Sequence, residues 1–596
     1  MKRTAIALIA GALAAGAGAG QALADAPPPP ASASQTAAQL AGSSQWADAS
    51  ATSTQIKPEN KNVSVRVLSP GSAGDVSQSN TSAAAAIAAN ANKLAQSASQ
   101  GSGGGHPGGY GTPVQSAGQV AASKQSADAS ADSTQVKPKN TNVSVRVLSP
   151  GDDGDVTQDN SSAALGVALN KNDTTQAATQ DAGSGSPVQT AAQAAKSYQD
   201  ADASAESKQI EPENVNVSVR VLSHGKNGSV DQKNTSKAIG IGANLNRTEQ
   251  TATQSGGGYG TPVQDAGQVA LSKQDADAHA DSIQVKPTNK NVSVRVLSPG
   301  DDGDVSQENT SFALGIAANK NHTDQTATQE QDDGRGDVAV QAAGQIASND
   351  QDAWASADSV QIKPENSNLS VRTLDLGHER KAKDDGGDEV SQTNSSTALA
   401  LSLNVNDLVQ TADQSRSGKE KTLGAPTEPE LSAREPKDEP KDHPKDEDEG
   451  VSQLNKSFAA ALSANLNHTT QTATQSSDGK GDVAVQASGQ VAGNEQKAGS
   501  KADSFQLGAR NENGRTSGPD LCKHDFCKPD QSDECKHDRC KPDWKPDPCK
   551  HDRCKPDPCK RHDFWKSDHC KPERCDSREH RKPCKDERRP VPLGVR

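Results

Sequence analysis

The chain is predicted to be all-β, a repetitive β-solenoid-like or stacked-strand architecture with flexible linkers and a disordered Cys-rich C-terminal tail. Three observations predict it. Large apolar side chains are scarce: 31% of the 596 residues are hydrophobic, 2% are aromatic and one is Met, too little for an ordinary oily core. A ten-residue phrase recurs at intervals of 74 to 80 residues, the mark of a repeat architecture. Long tracts also reserve every second position for amides and very small side chains, the period of a strand and not of a helix.

Residues 1–24, MKRTAIALIAGALAAGAGAGQALA, join Lys2 and Arg3 to a short apolar stretch ending on Ala22-Leu23-Ala24. That is the pattern of a secretory signal peptide cleaved before Asp25. The protein is therefore expected to be secreted or displayed at the cell surface, with no membrane span after signal cleavage. Residues 25–44 read as a Pro/Ala/Ser-rich linker.

Residues 45–414 hold five β-repeat units of about 75–80 residues. NVSVRVLSPG stands at Asn62, Asn142 and Asn291, becomes NVSVRVLSHG at Asn216 and loosens to NLSVRTLDLG at Asn368. Its arginines are Arg66, Arg146, Arg220, Arg295 and Arg372. Before the phrase comes a Gln/Ala/Ser run with Gln115, Ala117, Gln119 and Ala121 on one parity, and after it a Gly/Asp loop and an Asn/Gln-rich tract. In the second unit that tract runs from Val156 to Gln180, and its constant parity includes Gln158, Asn160, Asn170, Asn172 and Gln176. The other parity varies freely between units, as at Lys237 and Phe312. Successive strand side chains face opposite ways, so the constant parity is the interior and the variable one the exterior. At about 3.3 Å per residue such a tract would reach roughly 80 Å, beyond the usual strand of about 3–10 residues, so it is expected to turn corners with the same face inward.

The loop SPGDDGDV, with Pro150, Gly151 and Gly154, supplies the backbone angles of a chain reversal. Its carboxylates suggest calcium, but SPGSAGDV near Gly71 and SHGKNGSV near Gly225 have lost them. Links such as QGSGGGHPGGYGTPVQ, from Gln100, separate units without the strand–turn–helix setting of a nucleotide site. Residues 415–450 are a charged Pro/Lys/Glu spacer, and residues 451–510 a partial sixth β-repeat without the Val-rich phrase.

The alternation of Ser, Gln, Asn and Ala on one face resembles the curlin repeats of bacterial extracellular amyloid fibres, over roughly Gln45 to Gln475. The resemblance implies stacked inward Gln and Asn ladders and a secreted fibre or surface layer. The unit departs from that pattern: Gln158 and Asn160 lie two apart, and the repeat is more than three times longer than the curlin one.

Residues 511–596 form a Cys/His/Lys/Asp/Pro-rich low-complexity tail that holds all ten cysteines. The candidate metal ligands are Cys522, His524, Cys527, Cys535, His537, Cys540, Cys549, His551 and Cys554, soft donors suited to zinc or copper. An even cysteine count in an exported chain favours disulfides. From Leu521 onward the tail carries 21 Lys/Arg against 16 Asp/Glu, within a chain of net charge −14. An acidic body with a mildly basic tail argues against a nucleic-acid binder, which needs a concentrated basic face.

Catalytic motifs are missing: the sequence has no H-E-x-x-H, G-x-S-x-G or Walker loop. The RGD triplet at Arg335 and the Asn-Val-Ser triplets at Asn62, Asn142, Asn216 and Asn291 read as by-products of loops and repeats. The expected function is that of a non-catalytic, cofactor-free structural protein that self-associates in a fibre, matrix or surface coat and contacts cell-envelope or matrix components. The alternatives are a metal-binding surface protein acting through its tail, and an adhesin with a repeat stalk.

Overall fold

The computed structural model describes residues 34–101, 113–181, 187–256, 262–331, 338–373, 389–416, 450–477 and 483–517. The described residues form eighteen strands and no helix. The first coil comprises β1 (Ser34–Ile56), β2 (Glu59–Val67) and β3 (Val76–Gly101). The second comprises β4 (Val114–Val136), β5 (Lys139–Val147) and β6 (Val156–Asp181), and the third β7 (Val188–Ile210), β8 (Glu213–Val221) and β9 (Val230–Gly256). The fourth holds β10 (Val263–Val285), β11 (Thr288–Val296) and β12 (Val305–Gln331), and the fifth β13 (Val338–Ile362), β14 (Glu365–Thr373) and β15 (Val390–Arg416). The sixth holds β16 (Val451–Ser477), β17 (Val483–Leu507) and β18 (Arg510–Ser517).

Equivalent strands pair in parallel and in register, so the coils stack into three six-stranded sheets: β1-β4-β7-β10-β13-β17, β2-β5-β8-β11-β14-β18 and β3-β6-β9-β12-β15-β16. This is an all-β, solenoid-like stack. Parity behaves as the tracts predict: Asn172 and Gln176 are 1% and 0% exposed, while Lys171 is exposed and Asp173 half-buried.

The expectation that each tract turns corners is not met. β6 runs from Val156 to Asp181 as one strand, roughly 85 Å at about 3.3 Å per residue. Strands are usually short because a globular core is short in every direction. Here each inner strand is held by a like neighbour on both sides along its length, so it ends only where turn chemistry stops it.

Two such stops recur in each of the first four coils. Lys57, Lys137, Glu211 and Lys286, each followed by Pro, adopt φ of 51–54°; in the sixth coil Gly508, at φ 63°, holds the same place. The second stop begins at Leu68, Leu148, Leu222 and Leu297, with φ of 50–53°, and is completed by Gly71, Gly151, Gly225 and Gly300, with φ of 126–133°. Only glycine adopts that second value without strain. The SPGDDGDV reversal thus lies where the sequence places it, whereas the Lys-Pro corner replaces the bends expected inside the tracts.

The two long sheets lie face to face, with Ala127, Ala129 and Ala131 of β4 packed against Ala164 and Ala168 of β6. Close approach explains Gly166, Gly240 and Gly315. A Cβ at any of them would fall within 3.0 Å of a backbone carbonyl oxygen of the facing sheet, those of Ser204, His279 and Ser356 respectively.

The sixth coil enters in a different order. After β15 the chain adds β16 to the same sheet, in parallel, and only then β17 and β18. A parallel neighbour requires the chain to return along the full length of β15, roughly 90 Å at about 3.3 Å per residue. The charged segment between Arg416 and Gly450 reaches about 110 Å when extended, enough for that return. β1 begins ahead of residue 45, and β18 extends to Ser517 and takes the sheet position of the Val-rich phrase.

Candidate functional site

In-register parallel pairing sets identical side chains above one another at about 4.8 Å, the repeat of a continuous amide ladder. Gln119 donates from Nε2 to Gln39 Oε1 at 2.9 Å, and Gln193 donates to Gln119 at 2.9 Å. The column continues through Gln268, Gln345 and Gln490, each bond 2.9 Å. A carboxamide has two N–H groups, and the second crosses the interior: Gln119 also donates to the Ala177 carbonyl at 2.9 Å. Each glutamine therefore links neighbouring coils and joins the two long sheets. Asn60, Asn140, Asn214, Asn289, Asn366 and Asn511 form a second column, with bonds of 2.9–3.1 Å. Serine hydroxyls such as Ser207 and Ser236, 2.8 Å apart, add further cross-sheet bonds. Such buried bonds contribute about 0.5–1.5 kcal/mol each, and an unpaired group costs more.

Beside the short sheet runs a polar cavity of about 280 Å³, lined by Asn62, Ser64 and their equivalents in the next coils together with Arg66, Asp153 and Asp302. Arg146, Arg220 and Arg295 are at most 1% exposed. The Asp153 carboxylate bridges two of them, at 2.6 Å to Arg146 Nε and 3.0 Å to Arg220 Nη2; Asp302 likewise bridges Arg295, at 2.7 Å, and Arg372, at 3.1 Å. In the third coil Asn227 takes the acid's place and accepts from Arg220 at 2.7 Å. Burial works against the charged form of Asp302, but the hydrogen bond from Ser370 and the Arg372 and Arg295 guanidiniums outweigh it and hold the carboxyl down at about 2. Burial likewise opposes ionised Asp153, and Arg220 and Arg146 overcome it, lowering its pKa. Arg220 itself is pushed down by burial, against the pull of Asp153 and with the repulsion of Arg295 and Arg146. Further guanidinium N–H groups bond to backbone, as Arg146 Nη1 does to Gly71 O at 2.8 Å. This column is an internal brace, not an open ligand site. In the sequence these arginines mark the repeat, and the signal of the brace is their spacing from the loop aspartates, six or seven residues on.

The same geometry answers the calcium question for two loop acids. Both oxygens of Asp153 and of Asp302 are engaged by Arg and Ser. The Asn-Val-Ser asparagines Asn142, Asn216 and Asn291 are 4–5% exposed, with their amides in a ladder. The RGD triplet lies outside the described residues. So do all the candidate metal ligands, Cys522, His524, Cys527, Cys535, His537, Cys540, Cys549, His551 and Cys554. Among the described residues no group of three His, Cys, Asp or Glu could hold a metal ion.

Among the described residues the stack ends on two open edges. In each of its three sheets the first coil pairs on one side only, and so does the sixth. An unpaired strand edge is a template for another strand unless Pro, bulges or charges block it. β1 contains one charged residue, Asp48, and β3 one, Lys93; β16 carries Lys456 and His468, and none of the three contains Pro. Large apolar side chains are also bare at these ends: Leu40 is 82% exposed, Trp46 78%, Leu462 62% and Leu466 61%. The end strands thus combine unpaired backbone with bare apolar side chains. No family model, curated protein or solved structure matches this chain.

Proposed function

We propose that the protein is a secreted, non-catalytic structural protein that self-associates through the ends of its stack to build an extracellular fibre, matrix or cell-surface coat. One observation carries this reading: both terminal coils leave full-length parallel edges, almost uncharged on β1, β3 and β16, beside amide columns that stop for want of a next coil. Every internal coil is stabilised by two such neighbours and each end coil by one, so addition of a coil lowers the free energy of the end it covers. The leader-like segment 1–24 supports export, and the Cys-rich tail supplies groups for cross-linking or anchoring outside the cell. Electron microscopy of the concentrated mature chain tests this. Extended particles longer than one stack are expected, with β-type circular dichroism and amyloid-dye binding; a monodisperse monomer at every concentration refutes it.

A further inference from the structure

We propose that assembly is head to tail: the sixth coil of one molecule receives the first coil of the next, and all three sheets continue across the junction in register. This rests on the self-association proposed above and adds its direction and alignment. Following the ladders through the stack assigns each sixth-coil residue a first-coil counterpart. Val485 shares a column with Ser34, Arg510 with Glu59 and Val451 with Val76.

In that alignment every inward amide of the first coil meets a like amide of the sixth. Gln490 and Gln496 meet Gln39 and Gln45, and Asn465 and Asn467 meet Asn90 and Asn92, so the columns already running through the stack would continue. The bond directions agree as well. Along the Asn columns each coil donates to the next one toward the C-terminus, as Asn92 does to Asn172 and Asn406 to Asn467. Along the Gln columns each donates toward the N-terminus, as Gln119 does to Gln39 and Gln490 to Gln345. The sixth coil thus presents Asn donors and Gln acceptors, and the first coil presents Asn acceptors and Gln donors.

The exterior matches too. Arg510 falls beside Glu59 and Glu512 beside Lys61, extending an alternation that the Lys139–Glu213 pair, 2.9 Å apart, shows inside the stack. Leu462 falls beside Ile87 and Val491 beside Leu40, four side chains that are 59–82% exposed on the single chain. Inside the stack Asp200, Asp275 and Asp352 share one column; no two carboxylates of the described residues meet at the junction. A two-fold contact between like ends would set the strands antiparallel and bring the Gln35 end of β1 against the Ile56 end of its copy, ending every column. A head-to-tail contact is heterologous, and with little rotation per molecule it gives an open, polar filament.

The test uses the full chain with its cysteines kept reduced, and two blocked variants. Gln39→Lys with Gln45→Lys charges the first-coil face; Gln490→Lys with Gln496→Lys charges the sixth-coil face. At concentrations where the unmodified chain forms filaments, each variant alone is expected to stay monomeric and their equimolar mixture to stop at twice the monomer mass. Dimers of either variant alone, or filaments of either, overturn the head-to-tail direction while leaving self-association standing. An unmodified chain that never assembles removes both. Exposed charges give a check that leaves the interior intact: Glu59→Lys is expected to raise the critical concentration about three- to fivefold, as like charges facing each other across a strand pair do, and Arg510→Glu in the same chain to restore it. A double variant as poor as the single one also overturns the alignment.

Discussion

Gly240→Ala adds one methyl group where the two long sheets are in contact. The new Cβ would fall within 3.0 Å of the His279 carbonyl oxygen and carbon. That carbonyl belongs to β10, which is paired along its length with β7 and β13, so relief requires the sheets to part locally. Overpacking of this kind costs about 1–3 kcal/mol. Replacing Gly by Ala also restricts the unfolded chain, which favours folding by about 0.4–1 kcal/mol. The net expectation is a loss of about 1–2 kcal/mol. Ala86 and Ala400 hold the same column in the first and fifth coils, so the requirement is specific to the three middle coils. Gly267→Ala is the matched control, because nothing lies within 4 Å of its added Cβ; that variant is expected to be neutral or slightly stabilised. Guanidinium denaturation of the full chain, followed by far-ultraviolet circular dichroism, should lower the midpoint for Gly240→Ala and leave it unchanged or raised for Gly267→Ala. Equal midpoints for the two would refute the face-to-face contact of the long sheets.

Three further predictions follow from the same geometry and one from the tail. Gln274→Ala removes donors to Gln199 Oε1 and the Lys320 carbonyl and leaves one of the two Gln351 amide N–H groups without its acceptor; each buried group left unpaired costs about 1–3 kcal/mol, so its denaturation midpoint should fall well below that of Gln45→Ala in the exposed first coil. Arg220→Ala strips Asp153 of one cation, takes its side-chain donor from the Gly151 carbonyl and leaves the Lys226 carbonyl with only the Asp153 N–H; a loss of about 3–5 kcal/mol is expected, measured as faster hydrogen exchange in β8. Stability should rise on acidification from pH 7 to about 4.5 and fall again below about 3. Burial and then neighbouring carboxylates push Asp277 and Asp281 up to about 6, so the folded chain binds their protons first and gains stability as pH falls from about 6 toward 3.8. Asp302, held at about 2, contributes stability above 3.8 that is lost as pH drops through 2, and urea midpoints across pH 2–8 check the sign. For the tail, thiol counting on protein recovered from outside the expressing cell is expected to find the ten cysteines oxidised; full free-thiol titre together with micromolar zinc binding would instead favour the metal reading.

Sequence alone determined which residues face inward, because alternation is a property of the extended backbone and needs no partner to be read. It also placed the SPGDDGDV reversal, since Pro and Gly at fixed offsets restrict φ locally. What it could not determine were properties that depend on residues 61 to 145 positions away: that the tracts remain single strands, that Asp153 and Asp302 each bridge to a second arginine in the next coil, and that β16 precedes β17 in the sixth coil. Those were decided by pairing between coils, where a strand's length and a charge's burial are set by the neighbour lying against it. The end faces belong to the same class, because a residue in β17 acquires a counterpart in β1 only once the stack has brought both into one column.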